Sequence, residues 1–293
     1  MLISNLNVDT VESLEGEGIH GGELASAGEF PYQVSLEIFG TSICGGGIID
    51  DYHVITAAHC FAEPDGKFYN FSTRVVAGTN TAGSWFSSKI SSDVEKVYIP
   101  KIYTEIKPHT HLEGDIAVLK LKQPLKISSQ KKLGKLELPE KGKSYANETA
   151  MITGFGWNWV KVNKDPLTGK SEESGGTNGK LRFAKTKVLS HDTCQSGFHD
   201  NVTDMHICAR VLHQQASDPQ GVCSGDSGGP LVHKHKTLIG IVSTSPLGCS
   251  EAEAPGVYTR VSAFLDFVDK AVKNKNDSTM IVRTLPSRSW FEF

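Results

Sequence analysis

The chain has 293 residues, of which 38% are hydrophobic and 22% charged, with a net charge of −3. That length buries a sizeable core, as one large or two small domains, and the composition is that of an ordinary soluble globular protein. The slight acidity argues against nucleic acid as a principal partner, and no apolar run approaches the ~20 residues needed to cross a membrane.

Residues 1–18 are acidic and lack periodic apolar positions, which predicts a loosely attached, propeptide-like segment. The start Met1-Leu2-Ile3-Ser4-Asn5-Leu6 has neither the basic region nor the sustained apolar run of a secretory leader. Residues 32–38 are apolar at every other position, which predicts a half-buried strand. Further short strands are predicted at 47–49 and 54–56, and residues 116–121 read as a strand buried on both faces. The lysine-rich stretch 126–143 predicts a crossing between two halves of the molecule. The second half opens with Ala150-Met151-Ile152-Thr153-Gly154-Phe155-Gly156-Trp157 and continues into a polar insert over about 158–178, which reads as a long mobile surface loop. Val261, Phe264, Leu265 and Val268 follow helical spacing, so 261–273 is predicted as an amphipathic helix docked on a barrel. The apolar end of the tail, Trp290-Phe291-Glu292-Phe293, reads as disordered, with a docking element as the alternative. Many short strands separated by turn signals indicate antiparallel barrels, and no internal sequence repeat is visible.

Three blocks carry chemistry: Thr56-Ala57-Ala58-His59-Cys60, Gly114-Asp115-Ile116-Ala117-Val118-Leu119, and Cys223-Ser224-Gly225-Asp226-Ser227-Gly228-Gly229-Pro230. A serine hydroxyl is a poor nucleophile at neutral pH and needs a base. His59 is the candidate base, because an imidazole titrates near neutrality and can return the proton to a leaving amine. Asp115, buried against the other ring nitrogen, would fix the tautomer. The glycines around Ser227 allow a sharp turn and close approach of substrate. Six cysteines form an even set whose pairing spacing alone does not choose. Disulfides imply an oxidising compartment, and four sequons, at Asn70, Asn147, Asn201 and Asn276, agree with secretion. His233 and His235 have no acid or thiol partner that suggests a metal site.

The order His, Asp, Ser and the motifs around each residue resemble the chymotrypsin-like (trypsin-family) serine proteases, from Ile19 to about Lys275. The resemblance implies an all-β fold: two antiparallel six-stranded Greek-key β-barrels, the first over about 19–135 and the second, with a C-terminal α-helix, over about 136–275. Residues 276–293 fall outside the pattern. It implies His59, Asp115 and Ser227 as a catalytic triad, and the N–H groups of Gly225 and Ser227 as an oxyanion hole. It also implies the disulfides Cys44–Cys60, Cys194–Cys208 and Cys223–Cys249. The substrate pocket it implies has Gly221 at its base, with Val222, Ser224, Ser245 and Gly256 around it. Ser243, Thr244 and Ser245 would pair with the substrate backbone. A neutral slot of that kind is closest to chymotrypsin- and elastase-like members and predicts Leu, Phe, Met or Tyr before the cut, with small aliphatics second.

A secreted zymogen is implied as well. A freed Ile19 amine would pair with Asp226, yet Gly18 precedes Ile19 and no Lys or Arg occurs before Lys67, so a trypsin could not make the cut. The partners implied are protein or peptide substrates, protein protease inhibitors and an activating protease. A monomer without cofactor, nucleic-acid or membrane partner is expected. No calcium is expected, because residues 75–88 contain no Asp or Glu. A selective protease of an extracellular cascade and a non-catalytic binding scaffold are the competing readings.

Overall fold

A computed structural model describes residues 19, 22–83, 89–105, 113–164, 171–198, 201–212, 221–244 and 255–287. In chain order the strands are β1 (Glu23–Leu24), β2 (Gln33–Ile38), β3 (Thr41–Ile48), β4 (His53–Thr56), β5 (Arg74–Ala77), β6 (Ile90–Pro100) and β7 (Ala117–Leu121). There follow β8 (Thr149–Gly154), β9 (Trp159–Lys164), β10 (Ser171–Gly176), β11 (Arg182–Val188), helix α1 (His191–Ser196), β12 (His206–Val211), β13 (Pro230–His233), β14 (Thr237–Thr244), β15 (Gly256–Arg260), helix α2 (Leu265–Val272) and β16 (Met280–Thr284).

Two six-stranded antiparallel barrels result. The first closes in the order β2-β3-β4-β7-β6-β5 and the second in the order β8-β11-β12-β15-β14-β13. Counted within each barrel, both orders are first, second, third, sixth, fifth, fourth. The halves therefore repeat one Greek-key topology that no sequence repeat announces. The linking stretch does cross between them: Leu133 and Leu136 are buried while Lys131, Lys132 and Lys135 stay in water, and Glu137 bridges to Thr237.

The expectation of a half-buried β2 needs correction, because every residue from Gln33 to Glu37 is buried. Val34 and Leu36 enter the first core, and the alternate polar residues are buried with partners, as buried polar groups must be. Gln33 accepts a 2.6 Å bond from Thr153 of the other barrel, Ser35 meets Ser42 at 2.8 Å, and Glu37 accepts from Gly83 at 3.0 Å.

The insert is also corrected. Its described residues form a hairpin of β9 and β10, paired from Trp159↔Gly176 to Lys164↔Ser171. The β-prone residues Trp159, Val160 and Val162 supply the strand, and the length and polarity of the segment obscured that signal. The predicted helix begins as a 3₁₀ turn at Val261–Ala263 and becomes α-helical over Leu265–Val272. Phe264, Phe267, Val268 and Ala271 bury one face, and α2 packs against β7. The tail contributes β16, which pairs antiparallel with Lys96–Pro100 of β6. The expected disorder at 290–293 lies outside the described residues.

Cys44–Cys60 ties β3 to the turn after β4, and Cys194–Cys208 ties α1 to β12. Cys223 is disulfide-bonded as well, and its expected partner Cys249 lies outside the described residues.

Candidate active site

β4 and β7 are hydrogen-bonded neighbours with Thr56 opposite Ala117. That register brings the 3₁₀ turn Ala58–Cys60, just past β4, against Asp115, just before β7. The His59 main-chain N–H donates to Asp115 Oδ1 at 2.9 Å, and His59 Nδ1 donates to Oδ2 at 2.8 Å. Nε2 is left to face a reactant. Asp115 is wholly buried and is held from a third side by the Ser243 hydroxyl, which donates to Oδ2 at 2.5 Å. Thr259 Oγ1 donates to the Asp115 carbonyl at 2.7 Å.

These contacts set the charges. Burial alone would push the Asp115 carboxyl up, but the His59 charge and hydrogen bond, with the Ser243 hydroxyl, hold it below the ordinary 3.8. Burial pulls the His59 imidazole down, and the Asp115 charge and hydrogen bond more than offset that, so it titrates above 6.5. A quarter of the His59 side chain remains open to an incoming group.

Ser227 sits in a tight loop between two anchored residues. Its carbonyl accepts from Gly45 N at 2.7 Å, and Gly228 N donates to Val242 at 2.9 Å. Gly228 has φ +76°, and a Cβ there would lie 2.1 Å from Thr56 Oγ1 and 3.0 Å from Ala57 N. Only glycine lets the serine loop lie this close to the residues that lead into the His59 turn. Gly225, at φ +94°, stacks on Gly156, where a Cβ would come within 3.1 Å of its Cα. Among the described residues, nothing accepts from the N–H groups of Gly225 or Ser227.

Asp226 is wholly buried and accepts from Gly156 N and Cys223 N, each at 2.9 Å. No basic side chain among the described residues pairs with it, and burial pushes its carboxyl up to about 7, against the pull of the two backbone donors. Gly154 and Gly156 crowd this carboxylate so closely that a Cβ on either would fall within 2.6 Å of it. Ile19 is also wholly buried, within the second barrel's core beside Ile152, Val222, Val242 and Tyr258.

The residues expected to line the pocket lie ahead of β13, at the end of β14 and at the start of β15. Among the described residues nothing lies within 4 Å of a Cβ built on Gly221, Val222 is buried, and a Cβ built on Gly256 would lie 3.1 Å from the Tyr258 ring. Ser224 is exposed, and its carbonyl accepts from Trp157 N at 2.8 Å. Thr244 closes β14 opposite Val257, and Ser245 lies outside the described residues.

Sequence reasoning assigned Ser243 to the substrate and missed its bond to Asp115. It also missed Gly154 and Gly156 as the walls around Asp226; the two glycines flanking Phe155 were the available signal. His233 proves to have an acid partner, Glu148, at 2.6 Å. The three metal-type donors that cluster among the described residues are Cys44, His59 and Cys60, and both sulfurs are locked in a disulfide that offers no thiolate.

A family model described as Trypsin matches residues 19–268. The matched span holds His59, Asp115 and Ser227 and both barrels, and it leaves out residues 1–18 and β16.

Proposed function

The chain belongs to the trypsin family of chymotrypsin-like serine proteases, whose members act on protein and peptide substrates, and from that membership we propose a secreted serine endopeptidase with His59, Asp115 and Ser227 as its triad. The observation that carries this reading is the Asp115 carboxylate, buried and gripped by His59 and Ser243. Such a carboxylate orients the imidazole and stabilises its protonated form, so Nε2 can take the Ser227 proton as Oγ attacks the scissile carbonyl. The Gly225 and Ser227 N–H groups then stabilise the developing oxyanion; one such donor is worth roughly 3–4 kcal/mol of barrier. His59 returns its proton to the leaving amine. Water repeats the sequence on the acyl-enzyme and frees Ser227.

The pocket carries no acid at Gly221 or Gly256. A cationic side chain would enter it without a counter-charge, so Arg and Lys are disfavoured. The lack of a side chain at Gly221 and the apolar Val222 favour Leu, Phe, Met or Tyr, with small aliphatics behind them.

Activation follows from Asp226. A buried carboxylate without a cation is unstable as an anion, and an α-amine freed at Ile19 would supply the missing charge. The Gly18–Ile19 bond would be cut by a protease that requires no basic residue there. Disulfides and sequons support an oxidising, extracellular setting.

The test is a peptide panel that varies only the residue before the cut, with the enzyme started at Ile19 and a Ser227→Ala control. Cleavage after Leu, Phe, Met or Tyr, absent in the control, is expected. Cleavage after Arg or Lys overturns the pocket argument. No cleavage by a folded protein with a verified Ile19 terminus favours a binding scaffold or a narrowly selective protease.

A further inference from the structure

Arg182 opens β11 and is 2% exposed, a guanidinium kept inside the protein. Its Nη1 donates to the main-chain carbonyl of Gly22 at 3.0 Å. The residues that follow Gly22 are bound to the same strand, since β1 pairs with β11 with Leu24 opposite Arg182. Gly22 N donates to the Ile19 carbonyl at 2.5 Å, and Ile19 lies in the second barrel's core.

Arg182 also shares a face with the activation carboxylate. Its partner across β8 is Gly154, and directly opposed residues in an antiparallel pair project to the same side of the sheet. A Cβ on Gly154 would lie 1.9 Å from Asp226 Oδ1. Arg182 therefore leaves the sheet on the side where Asp226 sits, and its Nη1 reaches the Gly22 carbonyl. A two-residue strand is a weak tether, whereas a buried guanidinium bonded to a carbonyl is costly to pull apart.

We propose that Arg182 is the positioning residue of activation: by gripping the Gly22 carbonyl it fixes the entry of the N-terminal segment and keeps the Ile19 amine at Asp226. The proposal rests on the activation reading above. The site recognises main-chain geometry, so it serves whichever protease makes the cut. The grip acts after cleavage by opposing escape of the new terminus into water.

The experiment uses the mature protein, beginning at Ile19, as wild type, R182M, R182K and R182Q. Cyanate carbamylates accessible neutral amines, and a buried, paired ammonium resists it. Modification of the Ile19 amine is followed by the mass of the N-terminal peptide, and activity is followed in parallel. The wild type is expected to react slowly and to lose activity in step with modification. R182M is expected to react about tenfold faster, the scale of one lost charge-assisted hydrogen bond, with kcat reduced and KM little changed. R182K, which keeps a donor, is expected to fall between them. R182M modified at the wild-type rate overturns the proposal. Should R182M not fold, wild-type rates for both R182K and R182Q overturn it equally. A wild type that stays active after its Ile19 amine is modified sinks the activation reading, and this proposal with it.

Discussion

Asp115 and Asp226 are both wholly buried carboxylates, yet they titrate in opposite directions, and the difference lies in who faces them. Asp115 meets an imidazole, a hydroxyl and a main-chain N–H. Asp226 meets two main-chain N–H groups and no described side-chain cation. For His59 to act as base it must be neutral, and the Asp115 charge raises its pKa above 6.5. Activity should therefore fall, as pH drops, at a pH above that of a free imidazole. D115N removes the charge and leaves the burial, so the acid limb of the kcat/KM profile is expected to shift to lower pH. The same substitution should cost about 10⁴-fold in kcat, because an amide favours the wrong tautomer. An unmoved limb would show that another group sets it. At Asp226 the linkage has the other sign. Its folded pKa of about 7 exceeds the ordinary 3.8, so between those values the native state binds the proton and the unfolded chain releases it. The uncleaved chain should lose stability as pH rises from about 4 to about 7. Denaturant titrations of uncleaved parent and uncleaved D226N should show that decline in the parent alone; parallel curves would refute it. Sequence alone named both aspartates, because each stands inside a recognisable motif. It did not reveal their unlike environments, since those are made by residues as distant in the chain as Gly156 and Ser243.

The β9–β10 hairpin is the element whose form the sequence disguised. Its Trp159-Val160-Lys161-Val162 alternation is a strand pattern, but a glycine pair and many polar residues read as a loop. The glycines have a packing reason that only the paired strands expose. A Cβ on Gly175 would lie 2.3 Å from Trp157 Cε3 and 2.5 Å from the Trp159 carbonyl. Gly176 lies equally flat against the Trp159 indole, where a Cβ would come within 2.9 Å. Trp157 in turn packs on Val160 and Cys223, and its N–H bonds the Ser224 carbonyl. The hairpin base is thereby fastened to the residue before Gly225. Replacing Gly175 with Ala should push Trp157 off this seat, at a cost of about 1–3 kcal/mol, as overpacking does. Because the displaced contact leads to Gly225, the proposed oxyanion donor, kcat is expected to fall more than KM rises. A G175A enzyme with wild-type kcat and a lowered melting temperature would separate the hairpin from catalysis.

At the scale of the molecule, two barrels of one topology meet with the candidate triad divided between them. The first supplies His59 and Asp115 from neighbouring strands, and the second supplies Ser227 ahead of β13. The duplication was illegible in the sequence because topology constrains only where strands turn and which face is apolar, and many side chains satisfy both. The tail was illegible for a related reason. Residues 280–284, Met-Ile-Val-Arg-Thr, form a short apolar run with no partner nearby in the chain; the partner, β6, lies far upstream. β6 outruns β5, which covers only Ile90–Asp93, and β16 takes the edge left open over Lys96–Pro100. Met280 and Leu285 are buried there, and Leu285 N bonds the Glu95 carbonyl at 3.0 Å. Each buried side chain contributes about 1.5–3 kcal/mol, partly offset by the entropy of ordering the tail. Deleting residues 276–293 should therefore lower stability by about 2–4 kcal/mol. None of β4, β7 or the serine loop pairs with β16, so kcat and KM of the folded fraction should match the full chain. Chemical unfolding, paired with kinetics normalised by active-site titration, tests both halves of the claim. Unchanged stability would mean that the edge of β6 needs no cover, and a changed kcat would mean that the tail reaches the site through β6 and β7.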